Sequence, residues 1–143
     1  MYESYSRQAL PTKEYRELLG SALCVFSSNN GFIIKNIIST NGSYDWYDLI
    51  DKNSGKLKKH IADTISDKTG SKEIENLFSE IVDMRNRIVH GFRITSKQGE
   101  QILATKSSKE KGNIQFEITT EYLLNFIKKN EELSDLLCEY RGH

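Results

Sequence analysis

The chain has 143 residues, of which 37% are hydrophobic and 28% are charged, and its net charge is zero. This length suits one domain with a real core, so we treat residues 1–143 as a single domain. The zero net charge excludes a global attraction to nucleic acid. The polar, tyrosine-rich N-terminus and the absence of a long apolar run predict no signal peptide and no membrane span, so we expect a cytoplasmic protein without a membrane partner.

The first half of the chain is predicted to be helical. Pro11 precedes a good helix start, and apolar residues then recur at helical spacing from residue 15 to residue 38. The polar run 27–31 is either a break or a weak point, and we favour one long helix. Two short helices are predicted next, over residues 45–50 and 55–66.

A third helical region begins after Ser71, which can cap it, and stops at Gly91. Its apolar stripe consists of Ile74, Leu77, Phe78, Ile81, Ile88, Val89 and Phe92. Arg85 falls inside that stripe. A guanidinium group there is costly unless it is paired or open to a cleft. The helix therefore either buries an ion pair or borders a cleft that holds an anion.

The hydrophobic period then changes from that of a helix to that of strands. Residues 101–105 and 113–119 are predicted to form a hairpin, the second strand alternating through Ile114, Phe116 and Ile118. A last helix, capped by Thr119 or Thr120, is predicted to run to about residue 138. The predicted fold is mainly α, a bundle of four to five helices with a small β-hairpin before the last helix.

One segment combines the residues that phosphodiester chemistry needs. Arg85 stands five residues before His90; histidine moves protons near neutral pH, and arginine neutralises phosphate. Residues 85–111 contain seven Lys/Arg and two acids, which predicts a basic patch beside the pair. Within it, Arg87, Arg93 and Lys97 are candidate substrate-binding residues. The alternative is an ordinary solvated face.

Each of these residues also has a structural interpretation. His90 would suit a helix C-terminus through the helix dipole, and Arg85 would suit a buried salt bridge to an acid such as Glu80 or Asp83. The two cysteines have no metal-ligand spacing and are expected to be buried thiols. His60 is expected to be exposed and His143 to be disordered. The aromatic residues 44, 46 and 47 are expected to pack or anchor a helix rather than to stack on bases.

The run Arg85-Asn86-x-x-x-His90, at the end of an amphipathic helix and followed by glycine, resembles the R-x4-6-H motif of the HEPN superfamily. The order of helices is similar too, with a hairpin insert as in some branches. Many members are metal-independent ribonucleases of toxin, phage-defence and RNA-processing systems. The resemblance implies catalytic roles for three residues: His90 as general acid or base, Arg85 as the group that stabilises the transition state, and Asn86 as a supporting polar residue.

The resemblance also implies partners and products. RNA would be cut by its own 2′-hydroxyl to give a 2′,3′-cyclic phosphate, with no metal and no cofactor, in a cleft of a homodimer formed through the motif helix. An antitoxin or defence-system partner is expected. Toxins of this superfamily that a nucleotidyltransferase silences have a tyrosine two residues after the histidine. Phe92 stands there, so that control is not expected, and Phe92 is predicted to pack in the core. The alternative function is a HEPN-like dimeric module that binds RNA, a nucleotide or a protein without cleavage.

Overall fold

The computed structural model describes residues 3–142, which form a mainly helical protein with one small antiparallel sheet, as the sequence predicted for the fold class. The helices are α1 (Lys13–Thr40), α2 (Trp46–Asp51), α3 (Leu57–Ile61), α4 (Asp67–Thr69), α5 (Glu73–Val89) and α6 (Thr120–Arg141), and the strands are β1 (Phe92–Thr95), β2 (Gln101–Lys106) and β3 (Gln115–Ile118). The prediction made for His143 lies outside the described residues.

Helix α1 is continuous, which confirms the prediction of one long helix. The Thr12 hydroxyl caps it by accepting from the Tyr15 amide (3.3 Å). The polar run 27–31 does not break the helix, because buried Asn29 donates from its side chain to the backbone carbonyl (2.7 Å) and the side-chain oxygen (3.0 Å) of Asn130 on α6. This part of the polar run is therefore a buried hydrogen bond between the two longest helices.

The core lies where α1, α5 and α6 meet. The Phe26 ring of α1 stacks on Phe78 of α5 and on Phe126 of α6, with ring centroids 6.3 Å apart in both pairs. All three rings are buried, and burial of each contributes about 2–3 kcal/mol of hydrophobic stabilisation. The position of α5 is thus fixed through Phe26, the residue that also contacts Arg85.

The predicted hairpin is wrong in one respect, because the sheet has three strands in the order β1-β2-β3. Strand β1 pairs with β2 in the register Phe92↔Ala104 and follows α5 after two residues. A four-residue strand directly after a helix shows too little alternation to be recognised. Phe92 is 44% exposed, so the prediction that it packs in the core is also wrong.

The chain between α1 and α5 is more continuously helical than predicted. A 3-10 turn (Ser54–Lys56), α3, a π-helical turn (Ala62–Ser66) and α4 follow one another without a gap. Two smaller predictions are wrong. Cys24 on α1, which was predicted to be buried, is an exposed free thiol. His60, which was predicted to be exposed, is half-buried against Tyr44, and its Nδ1 lies 3.2 Å from the tyrosine hydroxyl. The Tyr44 and Trp46 side chains pack against the core as predicted, whereas Tyr47 is exposed.

Candidate functional site

The motif residues occupy the last turn and a half of α5. Arg85 and Asn86 lie inside the helix, and His90 is its C-cap, with its amide donating to the Asn86 carbonyl (3.0 Å). Gly91 follows where the chain turns into β1. A Cβ atom at Gly91 would lie 3.0 and 3.2 Å from two backbone carbonyl oxygens, so the residue after His90 has to be small. The close approach of the helix end to the sheet fixes the position of His90.

Arg85 is a half-buried cation without a counter-ion in the described part of the chain. Its guanidinium lies over the Phe26 ring, 4.8 Å from the centroid, and its Nε is buried with no hydrogen-bond partner among residues 3–142. Burial lowers the pKa of Arg85 from its usual value. Glu80 pairs instead with Lys129 (2.8 Å), and Arg85 has no ion pair within the described chain. The salt-bridge interpretation of Arg85 is therefore wrong.

The Arg85 side chain opens into a groove of about 440 Å³ between α1 and the segment that joins α2 to α3, which we call the Arg85 groove. Its lining residues are Leu23, Phe26, Ser27, Asn30, Ile50, Lys52, Asn53, Ser54 and Arg85. This set includes two cations and four neutral polar residues and contains no acid. The groove is thus the second of the two possibilities that the sequence left open for Arg85, a cleft suited to an anion.

His90 and Asn86 lie on a different side of α5 from the guanidinium. Five residues of α-helix separate Arg85 from His90, so their side chains leave the helix about 140° apart, and His90 does not line the Arg85 groove. The His90 side chain is exposed, Asn86 is half-buried, and neither side chain has a hydrogen-bond partner among the described residues. In one copy of the chain, Arg85 therefore lies apart from Asn86 and His90, on a different side of α5.

The predicted substrate-binding cations do not join the Arg85 groove. Arg87 donates from Nη1 to the Lys106 carbonyl (2.7 Å), which ties α5 to the end of β2. Arg93 on β1 donates to the Gln101 side chain on β2, and Lys97 is exposed in the turn between these strands. The two arginines thus support the sheet, and Lys97 alone remains a free cation of the predicted three.

Tyr122 of α6 lies beside the polar side of α5. Its hydroxyl donates to the Met84 carbonyl (3.2 Å), and burial together with the charge of Asp83 raises the pKa of Tyr122 to about 12, against the opposing effect of Arg87. The phenol therefore stays protonated at neutral pH. Its role here is to hold α5 against α6.

The polar residues that line the groove beside Arg85 were not predicted from the sequence as site residues. Lys52 contributes the second cation, and the Ser54 hydroxyl donates to the side-chain oxygen of Asn30 (2.9 Å). Asn30 belongs to the polar run 27–31, the one visible signal that α1 contacts something polar there. Neither Lys52 nor Ser54 stands in a recognisable pattern.

Exposed apolar side chains flank Arg85. Leu23 and Ile50 line the groove and are 38% and 41% exposed, and Val89, one turn after Arg85 on α5, is 48% exposed. Apolar residues grouped beside a polar cleft are typical of an interaction surface. We call these three residues the apolar rim.

No group of three or more His, Cys, Asp or Glu among residues 3–142 could hold a metal ion, and no helix in that range is long and apolar enough to cross a bilayer. Comparison with known proteins gives no match to this chain among family models, curated proteins or solved structures. The function therefore has to be inferred from the geometry of the site.

Proposed function

We propose that this protein is a HEPN-like, metal-independent endoribonuclease with Arg85, Asn86 and His90 at its active site. The observation that supports this most directly is Arg85 itself: a half-buried guanidinium that has an unpaired Nε and no counter-ion within residues 3–142, and that opens into a groove lined by no acid. If position 85 served only the stability of the fold, an apolar residue there would stabilise the protein more than an unpaired arginine does. The retained charge points to an anionic ligand, and RNA phosphate fits the motif.

The roles follow from the chemistry of RNA cleavage. The ribose 2′-oxygen attacks the adjacent phosphorus, the bond from phosphorus to the 5′-oxygen breaks, and the products are a 2′,3′-cyclic phosphate and a 5′-hydroxyl. His90, exposed at the helix end, would take the 2′-hydroxyl proton or protonate the leaving oxygen. Arg85 would stabilise the charge that develops on the phosphoryl oxygens, and Asn86, one turn before His90, would orient the substrate.

A second copy of the chain would bring the separated parts together. Within one copy Arg85 and His90 leave α5 about 140° apart, so we infer that each site uses Arg85 of one copy and His90 of the other. The apolar rim of Leu23, Ile50 and Val89 beside Arg85 supplies surface for that contact. The zero net charge of the chain adds no general repulsion between copies.

The same separation also favours a second candidate function, a dimeric module that binds RNA without cleaving it. If no partner copy brings His90 to the Arg85 groove, the groove can hold a phosphate but has no proton-transfer group beside it. Cleavage distinguishes the two candidates. Phe92 has no hydroxyl group, so nucleotidylation of a tyrosine at this position is not the proposed control, and an antitoxin or defence-system partner would act by another route.

The test is RNA cleavage in excess EDTA by the wild type, Arg85→Ala and His90→Ala, with the folding of each variant checked by circular dichroism. Two differently tagged chains are then co-expressed and heterodimers are isolated. A heterodimer of Arg85→Ala with His90→Ala should regain about half of the wild-type rate, because one of its two shared sites is intact. A heterodimer of wild type with the double variant should be inactive, because each shared site lacks one residue.

The outcomes separate the parts of the proposal. Equal cleavage by the wild type and both single variants would indicate a contaminating nuclease. Activity in the heterodimer of wild type with the double variant, and none in the other, would show that Arg85 and His90 act from the same copy. Tight RNA binding without cleavage, by a well-folded dimer, would establish the binding module instead.

A further inference from the structure

We propose that the Arg85 groove is a phosphate-binding subsite in which Lys52 and Asn30, neither of them part of the motif, position an RNA phosphate beside Arg85. The proposal rests on the proposed function in one respect, namely that RNA is the source of the phosphate. It assigns positioning roles to residues of α1 and of the segment after α2. These residues are distant from α5 in sequence, and folding brings them beside Arg85.

The charge of the groove comes from two cations that the described protein groups neutralise weakly or not at all. Arg85 has no ion pair in the described chain, and its buried Nε retains an unused donor. Within residues 3–142 the Lys52 amine has one ion pair, with Asp48 one turn earlier, and its length of 3.9 Å is near the outer limit for an ion pair and of little energy. A phosphate between the two cations would satisfy both, and an arginine fork is well suited to phosphate oxygens.

Neutral donors in the groove are already oriented. The Asn30 side-chain oxygen accepts from the Ser54 hydroxyl (2.9 Å), and Ser54 is buried at the start of the 3-10 turn. The Asn30 amide group is therefore held in place, and its two N–H donors have no hydrogen-bond acceptor among the described residues. Fixed donors lose little freedom when a ligand arrives, so they favour binding at low cost in entropy.

The surroundings indicate the direction in which the RNA leaves the groove. Lys52 is followed by the exposed cations Lys56, Lys58 and Lys59, with no acid between Lys52 and His60. The groove, at about 440 Å³, is larger than a phosphate group and leaves room for the attached ribose. The favoured path for a strand thus follows α3.

The experiment measures RNA binding by fluorescence anisotropy in the full-length His90→Ala background, in EDTA, with a labelled single-stranded RNA of about ten nucleotides. Lys52→Gln should raise the Kd about tenfold, the effect of losing one charge-assisted hydrogen bond, and should reduce the slope of log K against log salt by about 0.7. Asn30→Asp, which places a carboxylate in the groove, should weaken binding at least as much. Lys52→Arg should retain affinity.

Lys109→Gln is the matched control, because it removes the same charge from an exposed loop between β2 and β3. If Lys52→Gln and Lys109→Gln lower affinity equally, the groove is not a subsite and the proposal fails. Competition with inorganic phosphate and with 5′-AMP identifies the source of the phosphate. Binding of 5′-AMP that depends on Lys52, together with RNA binding that does not, would overturn RNA as the ligand.

Kinetics separate this proposal from the proposed nuclease activity. If the wild type cleaves RNA, Lys52→Gln should raise KM with little change in kcat, as expected of a positioning residue. RNA binding that depends on Lys52 without any cleavage would leave the subsite standing and remove the nuclease. RNA cleavage with a KM that Lys52→Gln does not change would support the nuclease and refute the subsite.

Discussion

Replacement of Arg85 by methionine should stabilise the fold while it removes the function. Methionine keeps an unbranched stem that can cover Phe26 and has neither the charge nor the unpaired donor of Arg85. For most half-buried residues of a helix a substitution costs stability, so a gain here would identify Arg85 as a residue kept for its ligand.

The magnitude follows from two opposing contributions. The buried Nε without a partner costs about 1–3 kcal/mol. The cation–π contact of the guanidinium with the Phe26 ring, 4.8 Å from the centroid, stabilises the fold by about 0.5–1 kcal/mol. We therefore expect Arg85→Met to raise the free energy of unfolding by about 1 kcal/mol, which for a chain of this length raises Tm by about 4 °C.

Urea and thermal unfolding of both proteins measure this difference, first without and then with phosphate. Phosphate at about ten times its Kd should stabilise the wild type by about 1.4 kcal/mol and should leave Arg85→Met unchanged. A loss of more than 1 kcal/mol in Arg85→Met without ligand would refute the reasoning, because the guanidinium would then be a structural group. Arg85→Lys serves as a control that keeps the charge but not the planar fork.

Three further predictions concern residues around the site. Lys97→Gln should change the Kd for RNA less than twofold in the anisotropy assay, and a tenfold loss would restore the basic patch predicted from the sequence. Gly91→Ala should lower the free energy of unfolding by about 1 kcal/mol, because its Cβ would lie 3.0 Å from a backbone oxygen, and a urea midpoint equal to that of the wild type would contradict this. Tyr122→Phe should lower the free energy of unfolding by about 1 kcal/mol at pH 8, because it removes the hydrogen bond to the Met84 carbonyl. That difference in free energy of unfolding should close and then change sign as the pH rises from 10 towards 12, because the tyrosine of the unfolded wild type ionises first and destabilises only the wild type. A difference in urea midpoint that stays constant with pH would contradict the assignment.

Long periodic segments of this chain could be predicted from sequence, and short ones could not. The apolar spacing of α1 and α5 extends over several turns, and both helices were predicted within a few residues of their observed ends. Strand β1 has four residues and pairs only because β2 lies beside it. Its formation depends on tertiary contacts, which local sequence does not record.

The candidate site was predicted in its position on α5 but not in its surroundings. The place of Arg85 within an apolar stripe indicated either an ion pair or a cleft, and the structure decides for the cleft. Arg87 and Arg93 bind Lys106 and Gln101, which lie 19 and 8 residues further along the chain on β2, so no pattern within α5 or β1 shows that these arginines are engaged. Lys52 and Asn30 reach the groove from two other elements for the same reason.

The last turn of α5 bears on the proposed contact between two copies of the chain. The Val89 side chain lies between Arg85 and His90 around the helix, and it is nearly half exposed. An apolar residue between two groups that would act on the same phosphate is out of place in a water-filled site, but it suits the centre of a contact between copies. Val89→Glu should give a folded monomer that still binds phosphate in the Arg85 groove and no longer cleaves RNA. That result would show that one copy forms the phosphate site and that cleavage needs two copies. Retained dimerisation and cleavage in that variant would place the contact elsewhere.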